Sequence, residues 1–112
     1  MRYKLLTNYD VSDEKNIYSV FTINNVMVEI IISKSVSSDN CFISIKENGK
    51  NIVDNKLCTA NEYIMLEARQ FEQSSINGDF FFGYTTTGMG AYNFDYRYLG
   101  ENLFLFYDDL EE

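Results

Sequence analysis

Hydrophobic and polar residues alternate with a period of two over much of this chain, the pattern of strands that turn one face toward a core. The clearest run is "NVMVEIIIS", Asn25–Ser33. Val26, Val28, Ile30 and Ile32 share one parity; Met27, Glu29, Ile31 and Ser33 share the other. Every residue of the first set is β-branched, which favours a strand, because branching at Cβ crowds a preceding helical turn. That set is expected in the core, and the other face is mixed. "IYSVFTI", Ile17–Ile23, comes before it, with Ile17, Phe21 and Ile23 on one side and Tyr18 and Val20 on the other. Asn24 and Asn25 join the two runs, and asparagine tolerates the left-handed backbone of a tight hairpin. After the polar "SKSVSSDN", Ser33–Asn40, alternation resumes in "CFISIKE", Cys41–Glu47. Asn48-Gly49 is the strongest hairpin signal in the chain, and Lys50–Val53 is expected to return as a short strand. Residues 17–53 therefore read as an antiparallel meander of three or four strands. Arg2–Leu6 is a further strand candidate, and the polar Asn8–Asn16 a loop.

Past residue 53 the pattern changes. "TANE", Thr59–Glu62, has the spacing of a capping box, and "YIMLEARQ", Tyr63–Gln70, follows with good helix formers. A short helix is predicted near residues 60–70, with a strand through Tyr63–Glu67 as the rival. "EQSSINGD", Glu72–Asp79, reads as a loop and Phe80–Tyr84, "FFFGY", as a strand. Thr85–Gly90, "TTTGMG", is a glycine-bearing loop. Tyr92, Phe94, Tyr96 and Tyr98 then alternate with Asn93, Asp95 and Arg97, which predicts a strand with an aromatic face and a charged face. Leu99–Asn102 turns the chain and Leu103–Tyr107 comes back. "DDLEE", residues 108–112, is expected to be a flexible, exposed acidic tail. The fold class that follows is mainly β: a small antiparallel β-barrel or sandwich with one short helix, forming a single β-rich domain over residues 1–112.

Charge divides the chain in a way that its mean does not show. Residues 1–56 carry seven basic and seven acidic side chains. Residues 57–112 carry two basic, Arg69 and Arg97, against ten acidic, so the whole net charge of −8 lies in the second half. Nucleic-acid binding draws on Lys and Arg to displace counterions from phosphates, so direct DNA or RNA binding is not expected. The acidic excess keeps an aromatic surface soluble or meets a basic protein partner. No apolar run is long enough to insert in a membrane. Leu5-Leu6 is too short for a signal-peptide core, and Cys41 and Cys58 are expected reduced and buried in a protein made in a cytoplasm.

Candidate chemistry is sparse. There is no His, the usual general acid–base group at neutral pH. Asp108-Asp109 and Glu111-Glu112 lie in the tail, where water would solvate them. Asp79 and Asp95 flank aromatic segments and could enter a pocket, although sequence does not bring them together. Two cysteines without a His are too few for a zinc site, and neither has an evident base to form its thiolate. "GYTTTGMG", Gly83–Gly90, lacks the lysine and the following helix of a phosphate-binding loop. No catalytic residue, metal ligand or cofactor is therefore assigned. What remains is aromatic: residues 92–107 hold seven of the chain's eighteen aromatic rings. Tyrosine has an apolar body and a polar tip, which suits partly buried contacts. An alternating aromatic row most often faces a core; the alternative is that some of Tyr84, Tyr92, Tyr96 and Tyr98 meet a partner, and these four are the candidate partner interface.

These segments in order, "FTINNVMVEIIIS", "CFISIKENGKNIVDNKLCTANEYI" and the terminal "YLGENLFLFY", resemble the small plug proteins of contractile-tailed phage baseplates, a family named for a cyanophage plug. The match covers residues 17–107. The resemblance implies a non-enzymatic structural protein placed with baseplate hub, spike or tube-end proteins near the end of the tail tube, in a virion or tail-like particle assembled in the host bacterial cytoplasm. It carries over no catalytic residue. The alternative is a small β-barrel module that binds a ligand or carbohydrate by aromatic stacking.

Overall fold

The computed structural model describes residues 2–5 and 16–110. Strands β2 (Ile17–Ile23), β3 (Val26–Lys34), β4 (Cys41–Glu47) and β5 (Lys50–Leu57) form a four-stranded antiparallel meander in chain order. β1 (Arg2–Lys4), β6 (Asp79–Tyr84) and β7 (Leu103–Asp108) form a second antiparallel sheet in the order β1-β7-β6. Among the described residues the sheets do not close on each other. The architecture is sandwich-like, and the barrel alternative is set aside.

Both asparagine hairpins form as their residues dictate. Asn24 and Asn25 have φ of 52° and 64°, and Asn48 and Gly49 have 49° and 83°. Two successive left-handed residues give the turn whose twist matches the flanking strands. Asn48 adds a tether, its Oδ1 accepting from Met27 N at 3.0 Å. Val28, Ile30 and Ile32 of β3 and Cys41, Ile43 and Ile45 of β4 are fully buried, as the alternation requires. The last strand runs past its expected end, to Leu57. Register with β4 shifts twice, and Asn55 takes φ 49° while its N–H donates to Ser44 Oγ. These irregularities absorb the polar Asp54-Asn55-Lys56, which strict alternation would have read as a break.

The helix expected near residues 60–70 is shorter: α1 spans Leu66–Gln70. The residues before it lie along the outer edge of β6. Ala60 bridges Phe82, Asn61 N donates to Phe82 O, and Ile64 N donates to Phe80 O. The hydroxyl of Thr59 donates to Glu62 Oε2 at 3.2 Å, a side-chain contact in place of a cap. Pairing with an open strand edge outweighs a helical nucleus this short. The fully buried Asp79 holds the junction, its Oδ1 accepting from Met65 N at 2.7 Å and Phe80 N at 2.6 Å.

The strand predicted through Tyr92–Tyr98 does not form. Residues 92–95 are irregular and Tyr96–Tyr98 is a 3-10 turn, started by Asp95 Oδ1 accepting from Arg97 N. β7 occupies one side of β6 and residues 60–64 lie along the other, so β6 has no side left for a further strand. The acidic tail is also partly corrected. Asp108 ends β7, is buried, and accepts from the Tyr63 hydroxyl at 2.8 Å. Residues 111–112 and most of the loop expected at Asn8–Asn16 lie outside the described residues, as does Leu6.

Candidate functional site

The loop from Thr85 to Asn102 leaves β6, makes the 3-10 turn and re-enters at β7, closed at its base by Thr85 N donating to Asn102 O at 2.8 Å. It distributes the aromatic row to three places. Phe94 turns inward and meets Phe82 edge-on at 5.0 Å. Tyr92 and Tyr98 gather on Tyr84, with ring centroids 5.7 and 6.0 Å from it and 6.4 Å from each other. Tyr96 stands apart, its ring 5.0 Å from the Lys34 ammonium of the other sheet. A helical turn separates adjacent alternate residues that a strand would have aligned, so three of the four candidate tyrosines form one cluster and Tyr96 does not join it.

The cluster is half-buried, and its rim carries the Asp95–Arg97 ion pair. Tyr84 and Tyr98 are partly covered, and Tyr92 is 47% exposed. The Tyr84 hydroxyl donates to Asn93 O at 2.8 Å. Its pKa is raised, first by burial and then by the nearby Asp95 carboxylate. Asp95 itself is held below the usual carboxylate range by hydrogen bonds from Arg97, whose side chain grips it at 2.6 Å. Glu101 lies exposed in the same loop. Mutually supporting rings of this kind keep their orientation before a partner arrives, which lowers the cost of ordering them on binding.

A second aromatic surface escaped the sequence reading. On the outer face of the three-stranded sheet Phe81 and Phe106 stack at 5.2 Å, and Tyr63 meets Phe81 edge-on at 6.0 Å. The Arg2 guanidinium lies 5.0 Å from the Phe81 ring centre, and the Lys4 ammonium 4.4 Å from that of Phe104. Arg2 also approaches Asp108 at 3.5 Å. The signal was the basic pair two positions apart, Arg2 and Lys4, which one face of a strand presents together.

The remaining candidates separate. Asp79 is sealed in the interior and Asp95 is paired at the surface, so they do not form a carboxylate pair across a cleft. Cys41 and Cys58 are both buried free thiols. Burial pushes the Cys41 pKa up to about 11 and that of Cys58 higher still, which leaves little thiolate at neutral pH. Among the described residues there is no cluster of three or more His, Cys, Asp or Glu placed to hold a metal, and no helix is long and apolar enough to cross a membrane. An open groove of ≈ 430 Å³ between β5 and α1 is lined by apolar Ile52, Ile64, Ala68 and Phe71 and by the charged Asp54, Lys56 and Glu67, among others.

Compared with known families, the chain matches the model described as "Cyanophage baseplate Pam3 plug gp18" over residues 6–111. No individual curated protein is significantly similar to it in sequence.

Proposed function

Because the chain belongs to the cyanophage baseplate plug family, structural components of the virion tail that assemble with other baseplate proteins, we propose that it packs against the hub or spike at the end of the tail tube. The observation that carries this reading is the family match from residue 6 to residue 111. In this role the chain acts as one β-rich domain without catalysis, is made in the host bacterial cytoplasm, and is built into the baseplate there. The Tyr84–Tyr92–Tyr98 cluster is the contact with the neighbouring subunit. Its rings supply apolar area, their hydroxyls remain able to bond at the rim, and Asp95 and Glu101 favour a basic facing surface. Attraction between exposed charges is screened over a Debye length of about 8 Å at physiological salt. Purified chain added to tails that lack it should therefore bind, and should be released progressively as salt rises. Retention indifferent to salt would contradict an electrostatic contact. Unchanged retention of a Tyr84→Ala/Tyr98→Ala variant would remove the cluster from the interface.

A further inference from the structure

Among the described residues the strand edges of this molecule are protected by different means, with one exception. An open edge offers unpaired backbone N–H and C=O groups to any passing strand, and proteins blunt such edges with charge, brevity, bulges or cover. β1 is three residues long and carries Arg2 and Lys4. β5 carries Lys50, Asp54 and Lys56 and is irregular in two places. β6 is covered by residues 60–64. β2 forms the fourth edge, and among the described residues its one strand neighbour is β3. Its sequence, IYSVFTI, has no charged residue, no Pro and no Gly over seven positions. It alternates regularly between half-buried and exposed positions, with Tyr18 58% and Val20 46% exposed. Nothing in it resists the addition of another strand.

We propose that β2 is the pairing edge for a second copy of this chain, two β2 strands lying antiparallel about a two-fold axis at Val20. The pattern is self-complementary in that register. Ile17 faces Ile23 of the second copy, Ser19 faces Phe21, Tyr18 faces Thr22, and Val20 faces Val20. Every half-buried position meets a half-buried position and every exposed position an exposed one, so the inner and outer faces continue across the junction. The small Ser19 opposite the large Phe21 leaves room for the ring.

Charge permits the same approach. Two chains of net charge −8 repel. Residues 17–57, which make the four-stranded sheet, carry Lys34, Lys46, Lys50 and Lys56 against Glu29, Asp39, Glu47 and Asp54, a net charge of zero. The acidic excess belongs to the other sheet and its loops. A copy meeting its like at β2 therefore joins two neutral sheets into one of eight strands. The outward neighbours along the same rows, Ile31 beside Tyr18 and Glu29 beside Val20, extend the surface that the second copy meets.

The inference rests on the strand edge and not on the baseplate assignment, and its test uses the purified full chain, so either can fail alone. Light scattering after size exclusion should give twice the 13.1 kDa chain mass. Val20→Lys keeps the fold, since position 20 faces Glu29 within its own sheet, and circular dichroism checks this. Across the two-fold axis it sets two ammonium groups opposite each other and should raise the dimer dissociation constant by roughly tenfold or more. An equimolar mixture of Val20→Lys and Val20→Glu chains should associate more tightly than either alone. Hydrogen exchange at β2 amides should quicken on dilution. A wild-type monomer at all concentrations, a trimer or open-ended polymer, or a Val20→Lys dimer as tight as wild type would each overturn the proposal. A β2 edge protected only when other baseplate proteins are added would assign it to another subunit's strand, which also overturns self-pairing.

Discussion

The four-stranded sheet fills its inner face with Val28, Ile30, Ile32, Ile43 and Ile45; the three-stranded sheet fills its own with Phe80, Phe82, Leu103, Leu105 and Tyr107. The first is built from consecutive hairpins and is neutral. The second gathers strands from both ends of the chain and sits among the acidic residues. Its rings serve two purposes. Phe80 and Phe82 are fully buried, whereas Tyr84, one step along the same strand parity, opens into the surface cluster. An aliphatic face packs and stops at its boundary, while an aromatic face passes from core to contact surface with one added hydroxyl per ring. The proposed docking of a neighbouring baseplate subunit draws on the aromatic end, and the proposed self-pairing on the β2 edge of the aliphatic sheet.

Truncating one residue on each side tests this contrast most strongly. Phe82→Ala is expected to cost about 4 kcal/mol in urea denaturation, and Ile30→Val about 1 kcal/mol. A loss below about 2 kcal/mol for Phe82→Ala would show that its ring is not packed as a core residue. Backbone crowding is the next handle. A Cβ on Gly78 would lie 2.3 Å from Asp108 O and 2.5 Å from the Tyr107 ring, whereas one on Gly90 meets nothing within 4 Å. Gly78→Ala should cost roughly 2–3 kcal/mol and Gly90→Ala close to none.

Acid should affect the second region before the first. Asp108 is held below the usual carboxylate range by the N–H of Leu110, the hydroxyl of Tyr63 and the charge of Arg2. A depressed folded pKa gives stability that is full above the ordinary carboxylate value and is lost as pH falls through the folded one. Melting temperature should therefore drop below about pH 4, and Asp108→Asn should flatten that acid limb while giving a lower plateau at neutral pH. An unchanged acid limb would show that the Asp108 contacts do not anchor the end of β7. Tyr92→Ala is expected to stay within about 0.5 kcal/mol of wild type because the ring is half in solvent, yet the variant should enter tails poorly. Normal entry would place docking away from the cluster.

Legibility in the sequence follows the same division. β2, β4 and both asparagine turns were readable because local residues determine them: alternation sets the face and a pair of left-handed residues sets the turn. The second half was less so. Thr59-Ala60-Asn61-Glu62 carries a helical signal, but an open edge of β6 competes for the same backbone, and that edge is supplied by residues about twenty positions away. Tyr92–Tyr98 alternates like a strand, but β6 has both sides occupied. Asp108 looked like tail because its partners, Tyr63 and Arg2, come from distant parts of the chain. The tyrosine cluster was half legible. Residue type marked Tyr84, Tyr92 and Tyr98, and only the 3-10 turn revealed that Tyr96 points to Lys34 instead.

The contact between the aromatic end and the tail is tested most directly by a cryo-electron microscopy reconstruction of the assembled baseplate. Density placing Tyr84, Tyr92 and Tyr98 within van der Waals distance of a hub or spike subunit, with basic side chains facing Asp95 and Glu101, is the expected result. A plug that turns this cluster to open solvent and holds its neighbours by other surfaces would contradict it.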